Sequence, residues 1–228
     1  IFENSASTFQ AVTVNAGNGI TLSSNLTTNN TTIFNSDSDA NGSGIFTISA
    51  GQTLNTSSSS LSITSSDIAL GAVSAINSGT ATLLASQSGQ TIGLGSGAGS
   101  FSLNNTELSQ ITATDLIIGN NSNGTTTLDN VTSFSGPLTL NATATGSAVN
   151  FSGTASSGLG NITINAGTGG MDFGVDVTTT GSLTATSGAA IAGSGVLTIA
   201  GTASFNTSGT ANATVVSNSD FTLGNSTI

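Results

Sequence analysis

The chain has 228 residues, a net charge of -10, and no Cys, Lys, Arg, His, Trp or Tyr. This composition excludes disulfides and thiolate metal sites, and it leaves no basic surface for nucleic acid or anionic lipid. Without His, Cys, Lys or Arg the chain also lacks the usual general bases, reactive thiols and anion-binding groups, so we expect no enzymatic activity.

Short period-2 segments, in which a polar residue or a glycine lies between two apolar ones, recur along the whole chain. They predict small β-strands with one buried face, because side chains alternate between the two faces of a strand. In chain order they are 12–14, 20–22, 46–48, 61–63, 92–94, 101–103, 138–140, 162–164, 197–199 and 221–223. No window of helical length carries an apolar stripe with a 3.6-residue period. A 36% hydrophobic content and a single proline favour a packed core over disorder.

The spacing of these segments indicates a repeat, since strong ones return about every 20 residues. Two or three very short strands per repeat, with small polar corners, are typical of a parallel β-helix, whose rungs stack ~4.8 Å apart around one narrow apolar core. We therefore predict an all-β, single-stranded parallel β-helix with about 20 residues per rung and about eleven rungs, forming one domain over residues 1–228. Outward Ser, Thr and Asn side chains are expected to stack in ladders on neighbouring rungs.

Residues 35–44 read NSDSDANGSG and place Asp37, Asp39, Asn41 and Gly42 at the first, third, fifth and sixth positions of a calcium-loop pattern. Alternating oxygen ligands can surround one hard cation, and the glycine permits the sharp turn between them. The twelfth position, which needs a bidentate glutamate, is Ile48. Two interpretations stay open: a calcium site with Asp37, Asp39 and Asn41 as ligands, or a solvated corner. No other cofactor is predicted.

Two further patterns resemble sites but favour structural roles. Asp172 and Asp176 lie on one predicted strand about 13 Å apart, which exceeds the separation of paired glycosidase carboxylates. The glycines at 93, 95, 97 and 99 lack the Lys-Ser/Thr ending of a phosphate loop, so they predict a corner or flexible loop. Numerous Asn-X-Ser/Thr sequons leave N-glycosylation open as an alternative.

One longer segment is less generic. Residues 105–119, NTELSQITATDLIIG, followed by GTTTL at 124–128, resemble a rung of large exoproteins similar to the filamentous haemagglutinins. NITINAG at 161–167 and GSLTA at 181–185 resemble the shaft repeats of the same family. The resemblance implies a right-handed β-helical shaft, exported by two-partner secretion and displayed on, or released from, the cell surface. The family's amino-terminal Asn-Pro-Asn motif is missing, since the single proline is Pro137.

These observations predict a non-enzymatic structural or adhesive segment of an extracellular or cell-surface fibre. Its expected partners are copies of itself, joined head to tail into a filament or sheath, or the surface of a host or neighbouring cell. No stretch approaches the ~20 apolar residues of a membrane span, so no membrane insertion is expected. The alternative is a glycan- or surface-binding module that uses outward Thr, Ser and Asn ladders. A carbohydrate-active enzyme would instead need clustered carboxylates.

Overall fold

The structure is a computed structural model that describes residues 4–132 and 134–207, together with the backbone of two later strands. The strands of the first part are β1 (Ser7–Phe9), β2 (Val12–Asn15), β3 (Ile20–Leu22), β4 (Leu26–Thr28), β5 (Thr32–Asn35), β6 (Ile45–Ile48), β7 (Thr53–Asn55), β8 (Leu61–Ser65), β9 (Asp67–Leu70) and β10 (Ala75–Ala85).

The later elements are β11 (Ile92–Gly95), β12 (Phe101–Leu103), α1 (Asn105–Ser109), β13 (Ile111–Asn120), β14 (Thr126–Asp129), β15 (Leu138–Ala142), β16 (Ala148–Phe151), β17 (Ser156–Leu159), β18 (Ile162–Ala166), β19 (Gly170–Phe173), β20 (Val177–Thr179), β21 (Leu183–Ser187), β22 (Ile191–Gly193), β23 (Leu197–Ile199), β24 (Ala203–Thr207), β25 (Val215–Ser217) and β26 (Phe221–Leu223).

These strands form an all-β parallel β-solenoid of about nine turns with about 22 residues per turn. The predicted fold class is confirmed, with about nine turns of about 22 residues where about eleven turns of about 20 were expected. The chain divides into two compact units. Unit 1 comprises Ile1–Gln87 and Thr106–Ile117, and unit 2 comprises Ser88–Asn105 and Ile118–Ile228. The prediction of one domain over residues 1–228 stays a prediction.

In unit 1, three successive strands make each turn, and equivalent strands of successive turns pair in parallel. One face contains β1, β4, β7 and the start of β10, and a second contains β2, β5, β8 and the end of β10. The third face contains β3, β6 and β9. The turns are uneven: the paired positions Ser7, Leu26, Leu54 and Ile76 are separated by 19, 28 and 22 residues.

The interior of unit 1 consists of stacked apolar side chains, one column per inward position. Leu26, Leu54 and Ile76 form one such column and are fully buried. Phe34 and Phe46 lie on adjacent faces with their ring centroids 5.2 Å apart. Burying a large apolar side chain stabilises the fold by about 1.5–3 kcal/mol, so these columns dominate the stability of the unit.

In unit 2 the turns from β14 onwards are more regular. Its first face contains β15, β18, β21 and β24, its second runs through β12, β11, β14, β16, β19, β22 and β25, and its third contains β17, β20, β23 and β26. Before this regularity begins, the pairing of Ile92 in β11 with Thr126 in β14 spans 34 residues. The paired positions Leu138, Ile162, Leu183 and Ala203 are separated by 24, 21 and 20 residues. The aromatic rings of Phe151 and Phe173 stack in the core with centroids 5.0 Å apart.

The short helix α1 was not predicted, because five residues are too few to show a helical period. Its Glu107 side chain accepts a hydrogen bond from the Leu70 N–H at 3.2 Å, and Gln110 Nε2 donates to the Gly71 carbonyl at 2.8 Å. Leu70 lies in β9, the last strand of its sheet, so the Glu107 side chain accepts a hydrogen bond that a fourth strand would otherwise accept. Among the described residues, no helix has the length and apolar character needed to cross a bilayer.

Side chains on the outside connect one turn to the next. The predicted ladders are confirmed at Asn165, whose Nδ2 donates to Asn141 Oδ1 at 2.9 Å, and at Thr202, whose hydroxyl bonds that of Ser182 at 3.1 Å. Each pair joins equivalent positions of successive turns. A polar surface can thereby satisfy its hydrogen bonds without ion pairs.

Candidate functional site

The segment 36–44, within the predicted calcium loop, is the longest version of a corner that recurs in unit 1. This corner consists of residues 16–19 between β2 and β3, and of residues 36–44 between β5 and β6. Between β8 and β9 it consists of Ser66 alone. Because the flanking strands stay in register, the extra residues of the middle corner lie outside the stack. We refer to residues 36–44 as the corner clasp.

The corner clasp folds along the outside of unit 1 towards later turns. Gly44 accepts a hydrogen bond from the Ser66 N–H, one turn later, at 3.0 Å. Two turns later, the Ser86 hydroxyl donates to Asp37 Oδ2 at 2.5 Å, and Gln87 Nε2 donates to the Ala40 carbonyl at 3.2 Å. The clasp therefore joins three successive turns through hydrogen bonds.

Asp37 is the buried centre of this arrangement. Its side chain is 1% exposed, and Oδ2 also accepts the Gly42 N–H at 3.0 Å, while Oδ1 has no hydrogen-bond partner among the described residues. Burial raises the pKa of Asp37, but the hydrogen bond from Ser86, that from the Gly42 backbone and smaller effects of Gly44 and Asp39 together hold the pKa below its ordinary value of 3.8. The carboxylate is therefore ionised at neutral pH.

Asp39 and Asn41 lie on the exposed side of the clasp. Asn41 Nδ2 donates to Asp39 Oδ2 at 2.7 Å. Asn41 Oδ1 accepts the Ser43 N–H at 2.9 Å and also the Ser43 hydroxyl. The Asp39 carboxylate lies over the preceding corner, where a side chain added at Gly17 would approach it to 3.3 Å. All three predicted ligands thus belong to one hydrogen-bonded loop.

The twelfth position of the calcium pattern lies in the core, since Ile48 in β6 is fully buried. Among the residues that the structure describes, no group of three or more His, Cys, Asp or Glu could hold a metal ion. One carboxylate oxygen of Asp37 and one of Asp39 already accept hydrogen bonds from the protein. The loop is a hydrogen-bonded corner, and calcium binding by Asp37, Asp39 and Asn41 stays a prediction.

The other acidic pair does not share a strand, so that expectation was wrong. Asp172 is exposed on β19, whereas Asp176 lies in the following corner, before β20 of a different sheet. Asp176 Oδ1 accepts the Val196 N–H of the next turn at 2.8 Å, and Asp129 Oδ1 accepts the Thr154 N–H in the same manner at 2.7 Å. These two acids join successive turns at their corners.

The glycine run forms a very tight turn. β11 and β12 pair in parallel although only five residues separate them. A side-chain carbon at Gly93 would lie 2.1 Å from the Gly97 carbonyl oxygen, and one at Gly99 would lie 2.1 Å from the Gly93 nitrogen. Glycines are needed because backbone approaches backbone here. This supports the prediction that the run forms a corner.

Sequence reasoning missed Ser86 and Gln87, the residues that hold the clasp from the other side. They lie 49 and 47 residues from their partners Asp37 and Ala40, beyond the range of any local pattern. The signal that could find them is the register of the strands, which places Ala85 on Ser65 and Thr64 on Asn35.

Comparisons with known proteins identify no family. No protein-family model, no curated protein and no solved structure matches this chain. What the structure establishes is a β-solenoid of about nine turns.

Proposed function

We propose that this chain is a non-enzymatic structural and adhesive segment of a secreted cell-surface fibre, similar to the shaft of filamentous-haemagglutinin-like exoproteins. The observation that carries the proposal is the in-register parallel pairing of strands from turn to turn within each unit. Each turn is bonded to its neighbours along its length, which suits a durable spacer. The extracellular location and the adhesive role rest on the resemblance of the rungs.

The outer edges of strands β1, β2 and β3 are where we propose that self-association occurs. These strands form the first turn of unit 1, and each has a paired strand on one edge only among the described strands. Unpaired edges are templates for another strand, because their N–H and C=O groups need partners. We propose that this turn receives the end of a second copy, so that chains join head to tail.

Thr13 offers a way to test this edge. The Ala16 N–H donates to the Asn35 carbonyl of β5. Successive residues of a parallel strand direct their N–H groups to opposite edges, so Thr13 directs its N–H away from β5, to the free edge. Thr13→Pro removes that donor and leaves the bonds to β5, while Thr13→Val keeps the donor and serves as the matched control.

Analytical ultracentrifugation of the purified chain over a range of concentrations tests the proposal. We expect concentration-dependent polymers for the native chain and for Thr13→Val, and a monomer for Thr13→Pro. A native chain that stays monomeric at every concentration would remove self-association from the proposed function.

A second candidate is a module that binds neutral glycans, and one groove in unit 2 favours it. The corner after β15 has five residues, 143–147, whereas the equivalent corners 167–169 and 188–190 have three. Residues of the longer corner line a groove of about 370 Å³. Its lining is uncharged: Asn141, Thr143, Thr145, Asn165, Ala166, Gly167, Thr168, Thr186 and Gly188.

Hydrogen-bonding groups on the floor of this groove are oriented by the ladder. Asn165 donates to Asn141, and Thr186 occupies the equivalent position of the next turn. Amides and hydroxyls without charge fit the hydroxyls of a neutral sugar. A glycan array probed with the native chain and with Asn165→Leu tests this candidate, and Asn150→Leu, on another face, is the control. Absence of binding, or equal binding by Asn165→Leu, would eliminate it.

A further inference from the structure

The corner clasp contains one of three Asn-Gly pairs in the chain, at 18–19, 41–42 and 123–124. In such a pair the glycine nitrogen can attack Cγ of the asparagine, because glycine has no side chain to hinder the approach. The resulting cyclic imide is opened by water to aspartate or isoaspartate. Inside a fold, the groups around the reacting atoms decide whether this reaction is helped or prevented.

At Asn41 and Gly42 each reacting atom has a partner suited to the reaction. The Gly42 N–H donates to Asp37 Oδ2 at 3.0 Å, so a carboxylate is in place to accept its proton. Asn41 Oδ1 accepts the Ser43 N–H at 2.9 Å and the Ser43 hydroxyl, two donors at the oxygen where negative charge develops during attack. Asp39 holds Nδ2, the leaving nitrogen, at 2.7 Å.

The other two pairs lack this arrangement. The Gly19 N–H donates to the Ser36 carbonyl and the Gly124 N–H to the Gln90 carbonyl, each at 2.8 Å. A backbone carbonyl is a far weaker base than a carboxylate. Asn123 is also fully buried, whereas Asn41 is exposed to the water that opens the imide. The clasp pair alone among the three combines an exposed asparagine with a carboxylate on the glycine nitrogen.

We propose that Asn41 is a self-modification site, which the corner clasp converts to aspartate or isoaspartate without an enzyme. The bond from Gly42 N to Asn41 Cγ forms while Asp37 takes the Gly42 proton. The bond from Cγ to Nδ2 then breaks, and ammonia leaves with the proton that Asp37 took from Gly42. One water molecule opens the imide.

The product changes the clasp in two ways. It places a third carboxylate on the loop, at the fifth position of the pattern that already holds Asp37 and Asp39. The isoaspartate form also inserts one additional backbone atom between two residues of a tightly bonded loop. In a chain without a single basic side chain, the new charge has no internal counterpart.

Peptide mapping by mass spectrometry tests the proposal. The folded chain is incubated at neutral pH and physiological temperature, then cut by chymotrypsin after Phe34 and Phe46, which flank the clasp. We expect Asn41 to convert roughly tenfold faster in the folded chain than in the same chain unfolded in urea, and faster than Asn18 in the same digest. An Asn41 that converts no faster when folded than when unfolded would overturn the proposal.

Three variants separate the chemistry from loop exposure. Ser43→Ala removes the hydroxyl donor and Asp37→Asn the proton acceptor, and both are expected to slow conversion of Asn41 severalfold. Ser38→Ala, an exposed change elsewhere in the clasp, should leave the rate unchanged. If circular dichroism shows that Asp37→Asn is unfolded, Ser43→Ala decides, and an unchanged rate in that variant contradicts the assigned role of the clasp.

Discussion

The two units have the same stacked strands and buried apolar core, but they differ in the lengths of the corners that connect the strands. In unit 1 successive turns differ by up to nine residues, from 19 between Ser7 and Leu26 to 28 between Leu26 and Leu54. In unit 2 the first face varies only between 24 and 20 residues per turn. In both units the strands stay in register from turn to turn, apart from one shift between β17 and β20 of unit 2. Length variation is absorbed outside the core, because only the strands carry the inward side chains.

The corners also differ in how they are held. In unit 2 the corners are joined by backbone hydrogen bonds and by single exposed side-chain oxygens, as where Asn161 accepts the Ser182 N–H of the next turn at 2.9 Å. The long corner of unit 1 instead buries a carboxylate and bonds to two later turns. A longer loop loses more conformational entropy on ordering, so it needs more bonds to stay fixed. We therefore expect core substitutions to lower the free energy of unfolding equally in the two units, and corner substitutions to lower it more in unit 1.

The largest expected effect tests whether the apolar cores of the two units contribute equally to stability. Phe34→Ala in unit 1 and Phe151→Ala in unit 2 each remove a fully buried ring and should each lower the free energy of unfolding by about 4 kcal/mol. Phe9→Ala, at a side chain 45% exposed, is the control with a small effect. Urea denaturation followed by circular dichroism measures all three. A much smaller loss for Phe34→Ala than for Phe151→Ala would mean that the uneven turns loosen the core.

The next effect tests whether the long corner of unit 1 contributes more to stability than a short corner of unit 2. Asp37→Asn should lower the free energy of unfolding by about 2 kcal/mol, because a buried acceptor of two hydrogen bonds loses its charge. Asp176→Asn should leave stability nearly unchanged, since the amide oxygen can still accept the Val196 N–H. The same denaturation experiment compares them. Equal losses would show that the clasp is held no differently from a short corner.

A pH series isolates the charge of Asp37. Its pKa is lower in the folded chain than the ordinary 3.8, so its contribution to stability is present above pH 3.8 and is lost as pH falls through the lower folded value. Thermal melts should therefore show a stability difference between the native chain and Asp37→Asn that is constant near neutrality and shrinks in strong acid. Asp39→Asn serves as the control for the second carboxylate of the clasp. A difference that persists in strong acid contradicts the assignment.

The smallest expected effect concerns calcium. Asp39→Asn alters an exposed side chain and should leave the melting temperature nearly unchanged. If the clasp, with two carboxylates among the described residues, is a solvated corner, the melting temperature is the same in calcium and in a chelator. A rise in melting temperature with calcium that Asp39→Asn abolishes would establish the ion site that the loop spacing predicts.

Much of the strand pattern was predictable from local sequence. All ten predicted period-2 segments are strands. The strands that were missed, such as β4 (Leu26–Thr28), β7 (Thr53–Asn55) and β17 (Ser156–Leu159), contain one large apolar residue each. Their extended conformation depends on pairing with the turns above and below, which no short window contains.

The candidate site was only half predictable. The spacing of Asp37, Asp39 and Asn41 indicates an unusual loop. It does not indicate that Asp37 is buried and bonded to Ser86, two turns later. The same limit applies to Glu107, which bonds Leu70 across a distant part of the sequence. Composition and alternation determine which residues face inward. Which corners touch depends on turn lengths that accumulate along the chain.

Fibre diffraction from the assembled chain tests the central claim, that these solenoids are segments of a fibre joined end to end. In such a fibre the strands lie across the fibre axis, so we predict a meridional reflection near 4.8 Å from the native chain. Thr13→Pro should yield no oriented fibre. A native chain that forms no fibre, or one whose 4.8 Å reflection lies on the equator, would contradict the account.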